Sequence, residues 1–456
     1  MQDAHSQTRE RDGTYTDKNR ITLSGAVAMG TGVMIGAGIF ALTGQIAQLA
    51  GPLFPLSFIV GAAVTALAAY SYVKMSNAWP SSGGIAMILN KAYGPGTIAA
   101  SASLLMALSM VINESLVART FATYALRPFG LEGSGPLLSL LALGLIVLAY
   151  AINASGNRSV SAFSLVMSII KIGGIVIFAV AAIWASGLDA GAFSGAAISG
   201  SPLDFVASVA FSILAFKGFT TITNSGGEIV DPHRNVGRTI MIAIGICVVT
   251  YLLVAIAVGS SLSIDAIIDA RDYSLAAAAE PALGRIGFYF TIAIALAATT
   301  SGVIASVFAV SRMLTEMKMI PHSHFGMSGG LRSHLLIYTV VVAGALAVLF
   351  DLSRIAALGA FFYLVMDMLV HWGVFRHLRR EVGARATILL AALVADFVVL
   401  IAFTIAKLQT DPAIVGYAVA GIGAAFAGEF LFLARRKHSS THDHDSGSDR
   451  TSQKGI

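Results

Sequence analysis

The sequence predicts an all-α membrane protein of about twelve transmembrane helices, and three observations carry that reading. First, the 456-residue chain is 56% apolar and only 12% charged, with a mean hydropathy of +0.79. A soluble protein of this length would need far more charge on its surface. Second, the apolar residues gather into runs close to the ~20 residues that cross a bilayer. Third, the connections between runs are too short to hold a sizeable soluble domain. The runs lie near 21–46, 53–78, 97–122, 136–155, 160–185, 203–226, 238–260, 286–315, 334–351, 354–375, 385–406 and 413–434.

The ends are different. Residues 1–20 are polar and mixed in charge, with neither the apolar core nor the small-residue cleavage site of a secretory signal. Residues 435–456 have a composition that cannot bury a core, and disorder is expected there. His438, His442 and His444 lie in that tail and are read as solvated. Cys247 is the one cysteine, which excludes an intrachain disulfide.

Lys and Arg set the orientation. With a cytoplasmic N-terminus, the inside segments hold Arg9, Arg11, Lys18, Arg20, Lys91, Arg234, Arg238, Lys318, Arg379, Arg380, Arg435 and Arg436, among others. The outside keeps little beyond Arg127, Arg271, Arg285, Arg354 and Lys407. Both termini are therefore expected in the cytoplasm. The net charge of +5 reflects this topology, and no basic–aromatic stripe points to nucleic acid. Trp79, Trp184 and Trp372 fall near span ends, as interface anchors do.

The first span carries "GTGVMIGAGIF", residues 30–40, with four glycines in eleven positions. Each weakens a helix interior by ~1 kcal/mol relative to alanine. Gly30, Gly32 and Gly36 are spaced one residue too widely for a dinucleotide fingerprint, and no Gly-Lys-Ser/Thr follows. Close helix packing through small residues explains one glycine face. Gly36-Ala37-Gly38 puts small residues on adjacent faces, so a broken helix is the expectation. Unwound backbone at membrane depth must line a cavity or be buried in protein, where its N–H groups can hold a carboxylate.

In transporters built of two inverted halves, each half carries one interrupted helix at a matching position. Five spans after the first comes "FSILAFKGFTTITNSGGEIVDP", residues 211–232, with Phe216-Lys217-Gly218-Phe219 in mid-span. Each predicted break therefore opens its half of the chain.

These residues resemble the amino acid–polyamine–organocation (APC) superfamily of permeases. The first-span G-x-x-x-G-x-G-I-F motif is Gly32 to Phe40, and the Pro-x-x-Gly-Gly segment after span two is "WPSSGGIAMILNKAYGPG". The sixth-span ending is "GGEIVDPHRNVGRTI", where relatives tend to carry Pro at Gly237, and span eight ends in "SRMLTEMKMIP". The resemblance covers all twelve spans. It implies a five-plus-five inverted repeat with helices 1 and 6 broken. The first repeat would be 21–185 and the second 203–375, with two further spans in 385–434.

The resemblance also implies a substrate site at the bilayer midplane between the two breaks. A substrate carboxylate would meet the N–H groups of Ala37 and Gly38, with Gly36 allowing close approach. Its amino group would meet carbonyls near Met34 and Ile35 and around Phe216. Phe216 or Phe219 could serve as an aromatic lid, with plain core packing as the even alternative. Two departures from the pattern stand out. Many relatives have Glu after the Gly-aromatic pair, where this chain has Thr220, and Lys217 precedes Gly218. A charge at the bilayer centre costs ~2.5–3.5 kcal/mol on insertion scales. Lys217 could face the substrate, disfavouring a cationic one, or pair with Glu114 or Asp367.

Lys171 lies mid-way along span five with no acidic neighbour in its own helix. In proton-coupled relatives a lysine in this span stands where a sodium ion sits in sodium-driven ones. Its proton role is preferred over a purely structural one, and Glu114 is the second candidate for proton coupling. Asp367 and His371 are four apart and share a helix face, which suits either a relay or an interhelical hydrogen bond. Asp396 is read as structural. Glu114 and Arg119 are five apart and do not stack ideally on one helix face, so each is expected to pair separately across spans.

An intramembrane hydrolase is disfavoured, since H-E-x-x-H is absent. A transporter-like sensor would usually add a soluble domain. Sodium coupling through Thr299, Thr300 and Ser301 is the rival within the transporter class. The resulting expectation is a secondary active transporter of amino acids or related amines in the cytoplasmic membrane, proton-coupled, with exchange as the alternative. No cofactor and no metal are expected.

Overall fold

The computed structural model describes residues 20–154, 157–187, 201–316 and 331–448. The expectations for residues 1–19, for 317–321 and for 449–456 fall outside them. Among the described residues there is no strand, only an isolated parallel bridge between Ile21 and Ile229. Helix dominates because lipid offers the backbone no partner, so each span must close its own hydrogen bonds.

In chain order the helices are α1 (Leu23–Ala50), α2 (Phe54–Ala78), α3 (Gly84–Tyr93), α4 (Thr97–Leu126), α5 (Gly135–Ala154), α6 (Asn157–Ser186), α7 (Pro202–Phe216), α8 (Thr220–Thr223) and α9 (Pro232–Ser261). They continue with α10 (Ile264–Asp269), α11 (Ser274–Glu316), α12 (Leu331–Leu349), α13 (Leu352–Gly373), α14 (Ala386–Thr410) and α15 (Pro412–Ser448). Among the described residues ten segments are long and apolar enough to cross a membrane. The first of them, Leu23–Ala78, contains two of the expected spans, and a shorter apolar stretch, Ile337–Leu349, marks the ninth. Each of the twelve expected runs is therefore mainly helical among the described residues.

The sixth span is interrupted as expected. α7 ends at Phe216, a 3₁₀ turn occupies Lys217–Phe219, and α8 is a single turn. The first span is not. α1 runs as one α-helix from Leu23 to Ala50, capped at its start by the Thr22 hydroxyl, which accepts from the Gly25 N–H. The expected break in helix 1 is corrected to a continuous helix. Its glycines serve close packing on several faces at once, as set out below.

Two further differences have simple causes. The eighth expected span is the second part of α11, which turns at Gly284 (φ 67°, ψ −163°). That backbone region is strained for any residue with a Cβ. Residues 435–448, expected to be disordered, continue α15 as helix, since adding residues to a helix already nucleated is cheap. The side chains of His438, His442 and His444 lie outside the description.

Burial separates a core from a lipid-facing shell. α7 is buried without a gap from Ala207 to Phe216, and α4 over most of its length. α14 shows Val394, Phe397, Val398 and Ile401 on its outer face, as a helix flanked by lipid should. Trp184 is 89% exposed and Trp372 44% exposed, as interface anchors require. Trp79 is half-buried, with the Lys91 ammonium 4.6 Å from its ring centre.

Candidate functional site

The glycines of α1 each meet a different neighbour. A Cβ on Gly36 would lie 2.9 Å from the Ala298 carbonyl oxygen and 3.0 Å from Gly302 Cα, both on α11. One on Gly38 would lie 2.8 Å from the Ala215 carbonyl of α7, and one on Gly30 would run into the Ile222 side chain of α8. Gly218 answers from the 3₁₀ turn, where a Cβ would lie 2.5 Å from the backbone nitrogen of Met34. Helix 1 and the helix 6 break are thus packed backbone against backbone.

Met34, Ile35, Gly36, Gly38, Phe216, Lys217, Gly218 and Phe219 are all buried around this contact. The side chain of Ala37 lies outside the description. Beside the contact is a cavity of about 10 Å³ lined by Val33, Met110, Asn113, Lys217, Gly218, Thr220, Thr221 and Ser306 with Leu214 and Ala215. That is room for about one water molecule. Lys217 and Gly218 face it, whereas Phe216 and Phe219 do not. Phe216 packs on Tyr251 with ring centres 4.9 Å apart, and Phe219 on Tyr72 at 5.3 Å.

Lys217 is buried and tied to α4. Its Nζ donates to the Ser109 carbonyl at 2.7 Å and to the Ser109 hydroxyl at 2.5 Å, and lies 5.4 Å from the Tyr363 ring centre. Among the described residues it makes no ion pair, so neither Glu114 nor Asp367 is its direct partner. Glu114 is wholly buried, and neither carboxylate oxygen has a hydrogen-bond partner. Arg119 reaches across spans to the Ala347 carbonyl of α12 at 2.8 Å, without Glu114.

Lys171 joins three helices. From α6 its Nζ donates to the Gly32 carbonyl of α1 at 2.6 Å and to the Ser301 hydroxyl of α11 at 3.1 Å. One turn away Ser168 donates to the Ala28 carbonyl at 2.8 Å. Gly32 lies close beside the lysine, where a Cβ would stand 3.4 Å from its nitrogen. Thr299 turns its hydroxyl back to the Ala295 carbonyl of its own helix at 2.6 Å.

The sequence-quoted motifs frame this centre. In the Pro-x-x-Gly-Gly segment, Gly84 has φ +46° and lies against Asn224. The Asn224 Oδ1 accepts from the Ile85 N–H at 3.2 Å, fastening the start of α3 to the end of helix 6. A family model described as amino acid permease matches residues 21–425 of the chain. The chain belongs to the amino acid permease family. It lies within the APC superfamily, and so is a multi-pass membrane transporter of small molecules and not an enzyme.

The permease is 28% identical over 386 residues to "Inner membrane transport protein YbaT" of Escherichia coli, covering 83% of this chain and 88% of that protein. It is 30% identical over 421 residues to "Uncharacterized protein MJ0609" of Methanocaldococcus jannaschii, covering 91% and 94%. A shorter match, 29% over 253 residues, is to "Cationic amino acid transporter 9, chloroplastic" of Arabidopsis thaliana, covering 51% and 44%.

Sequence reasoning missed Asn113 and Ser306 as cavity residues of the permease. Neither carries a motif, and only the packing of α4 and α11 turns them inward. A polar residue beside Glu114 in an apolar span was the available signal for Asn113.

Proposed function

We propose that this permease is a proton-coupled secondary transporter of amino acids or related amines. It works by alternating access in the cytoplasmic membrane with both termini inside. The substrate binds between α1 and the helix 6 break, with Lys217, Thr220 and Asn113 as polar groups at the side-chain end. The observation that carries the coupling is the Lys171 ammonium between the Gly32 carbonyl and the Ser301 hydroxyl. There the lysine takes up the oxygens that a sodium ion would need, and Thr299 is committed to its own helix. Contact with water favours the charged ammonium and re-burial disfavours it, so opening and closing to each side in turn would load and unload the proton. Glu114, wholly buried beside Ser306, is the second group proposed to carry a proton. The cavity of about 10 Å³ has room for about one water molecule and is too small for an amino acid, which suits an occluded conformation of the carrier.

The family's amino acid chemistry and the buried Lys217 side chain together support an amino acid with a neutral or acidic side chain as substrate. Like-charge repulsion from Lys217 disfavours a cationic one. The test is purified permease in liposomes with a panel of radiolabelled amino acids, with and without a pH gradient. Accumulation should follow the proton gradient and vanish in Lys171→Ala, while substrate exchange across equal pH persists. Full gradient-driven accumulation by Lys171→Ala, or uptake that requires sodium at fixed pH, would overturn the reading.

A further inference from the structure

Apart from Lys171, three ionisable side chains meet in the interior. Asp367 and His371 lie one turn apart on α13, and Asp396 comes from α14; all three are fully buried. His371 Nε2 is 3.5 Å from Asp367 Oδ1 and 3.3 Å from Asp396 Oδ2. The imidazole is aimed by Ser71 of α2, whose hydroxyl is 2.8 Å from Nδ1. Tyr72, next along α2, donates its hydroxyl to Asp367 Oδ1. Among the described residues Asp367 Oδ2 and Asp396 Oδ1 have no hydrogen-bond partner, and Asp396 Oδ2 has only the imidazole.

We propose that Asp367, His371 and Asp396 form a second proton-binding site, distinct from Lys171, in which the two carboxylates share one proton beside a charged imidazole. The argument is one of charge. Two carboxylates this close repel one another, and in such pairs one holds a proton. A single imidazolium balances only one of them, and an uncompensated charge at membrane depth is costly. The groups that face the cluster are Ser71 and Tyr72 from α2 and Tyr363 from α13, none of them cationic. Among the described residues no Lys or Arg pairs with it. Lys407 on α14 lies three turns along, over Phe211 and Phe403, and the Tyr93 hydroxyl of α3 is spent on the Leu369 carbonyl. A proton is therefore the neutralising ligand. The unsatisfied carboxylate oxygens are its seat, and a purely structural clasp would have satisfied them.

The site is mechanically placed to matter. Tyr72 bonds Asp367 with its hydroxyl and packs its ring edge-on to Phe219, the last residue of the 3₁₀ turn. Losing the shared proton would make Asp367 and Asp396 compete for the tyrosine and imidazole hydrogens. That would shift the ring on which the helix 6 break rests.

The test is infrared spectroscopy of the purified permease in lipid nanodiscs, stepped from acid to alkaline pH in H₂O and D₂O. A buried protonated carboxyl gives a C=O stretch well separated from carboxylate bands. In a Glu114→Gln background, which removes the other buried carboxyl of the transport path, the expectation is one such band that shifts in D₂O, titrates away with pH, disappears in Asp396→Asn and in Asp367→Asn, and survives in Lys171→Ala. Should the Asn variants fail to stay monodisperse, Asp396→Glu keeps the carboxyl and should move the band without removing it. A band indifferent to all three carboxyl variants, or none at any pH, would overturn the proposal. So would a stoichiometric metal ion in the purified protein that His371→Gln loses. The Lys171 reading fails on a separate result, coupled accumulation by Lys171→Ala, so the two can fall independently.

Discussion

Gly218 is the residue on which the helix 6 break closes against helix 1. Its Cα faces the backbone of Met34 with no room for a methyl group. Gly218→Ala should therefore push the 3₁₀ turn off α1, and transport should fall at least tenfold while the protein still inserts; uptake in liposomes measures the first and detergent chromatography the second. Overpacking of this kind costs typically ~1–3 kcal/mol. Asp411 is a milder case, in the turn between α14 and α15. Arg354 donates to it at 2.7 Å and holds its carboxyl below the usual carboxylate range. A depressed value in the folded state stabilises above the unfolded pKa of about 3.9 and is lost as pH falls through the folded one. The pair is largely solvent-exposed, so its contribution is small. Asp411→Asn should leave the melting temperature at pH 7 almost unchanged and soften the loss of stability below about pH 4. Lys171 was legible from sequence because a lysine inside an apolar run has few structural uses. The meeting of Asp396 with His371 was not, because 25 residues and a turn separate them and facing is decided only by packing.

At the scale of elements, α1 shows why a glycine-rich span resists reading. Glycine both loosens a helix and lets another backbone approach, and the sequence is the same in either case. Gly36 opposite Gly302, Gly38 opposite Ala215 and Gly30 opposite Ile222 decide for approach, and these partners lie far along the chain. The helix 6 break was visible because Lys217 and Gly218 stand together in mid-span, where neither favours a plain helix. α11 presents the opposite difficulty, one helical stretch holding a turn at Gly284. Gly284→Ala places a Cβ at positive φ, which costs roughly 1–2 kcal/mol. A matching drop in thermal stability, with substrate affinity intact, is the expected outcome. α3 is anchored by Tyr93, whose hydroxyl donates to the Leu369 carbonyl at 2.6 Å. Burial pushes that phenol up to about 12, so it stays a donor throughout the physiological range.

At the scale of the molecule, the centre is closed from both directions. Where α1 begins, the Ile21 N–H donates to the Glu228 carbonyl at 2.8 Å and the Val230 N–H to the Ile21 carbonyl at 3.0 Å. Where α1 ends, Gln45 donates to Asp272 at 2.7 Å. The number of spans and their order could be read from hydropathy alone. The closure could not, since it depends on loop backbones pairing across more than 200 residues. That pairing has a kinetic meaning for the carrier. Two backbone hydrogen bonds are worth together about 1–3 kcal/mol net, which biases an open–shut equilibrium by roughly fivefold to a hundredfold. Such a hasp is strong enough to keep an idle carrier shut, yet weak enough for a bound substrate to undo. Trimming the chain past Ile21 should accordingly give a permease that leaks its cargo down a gradient, seen as faster efflux from preloaded vesicles.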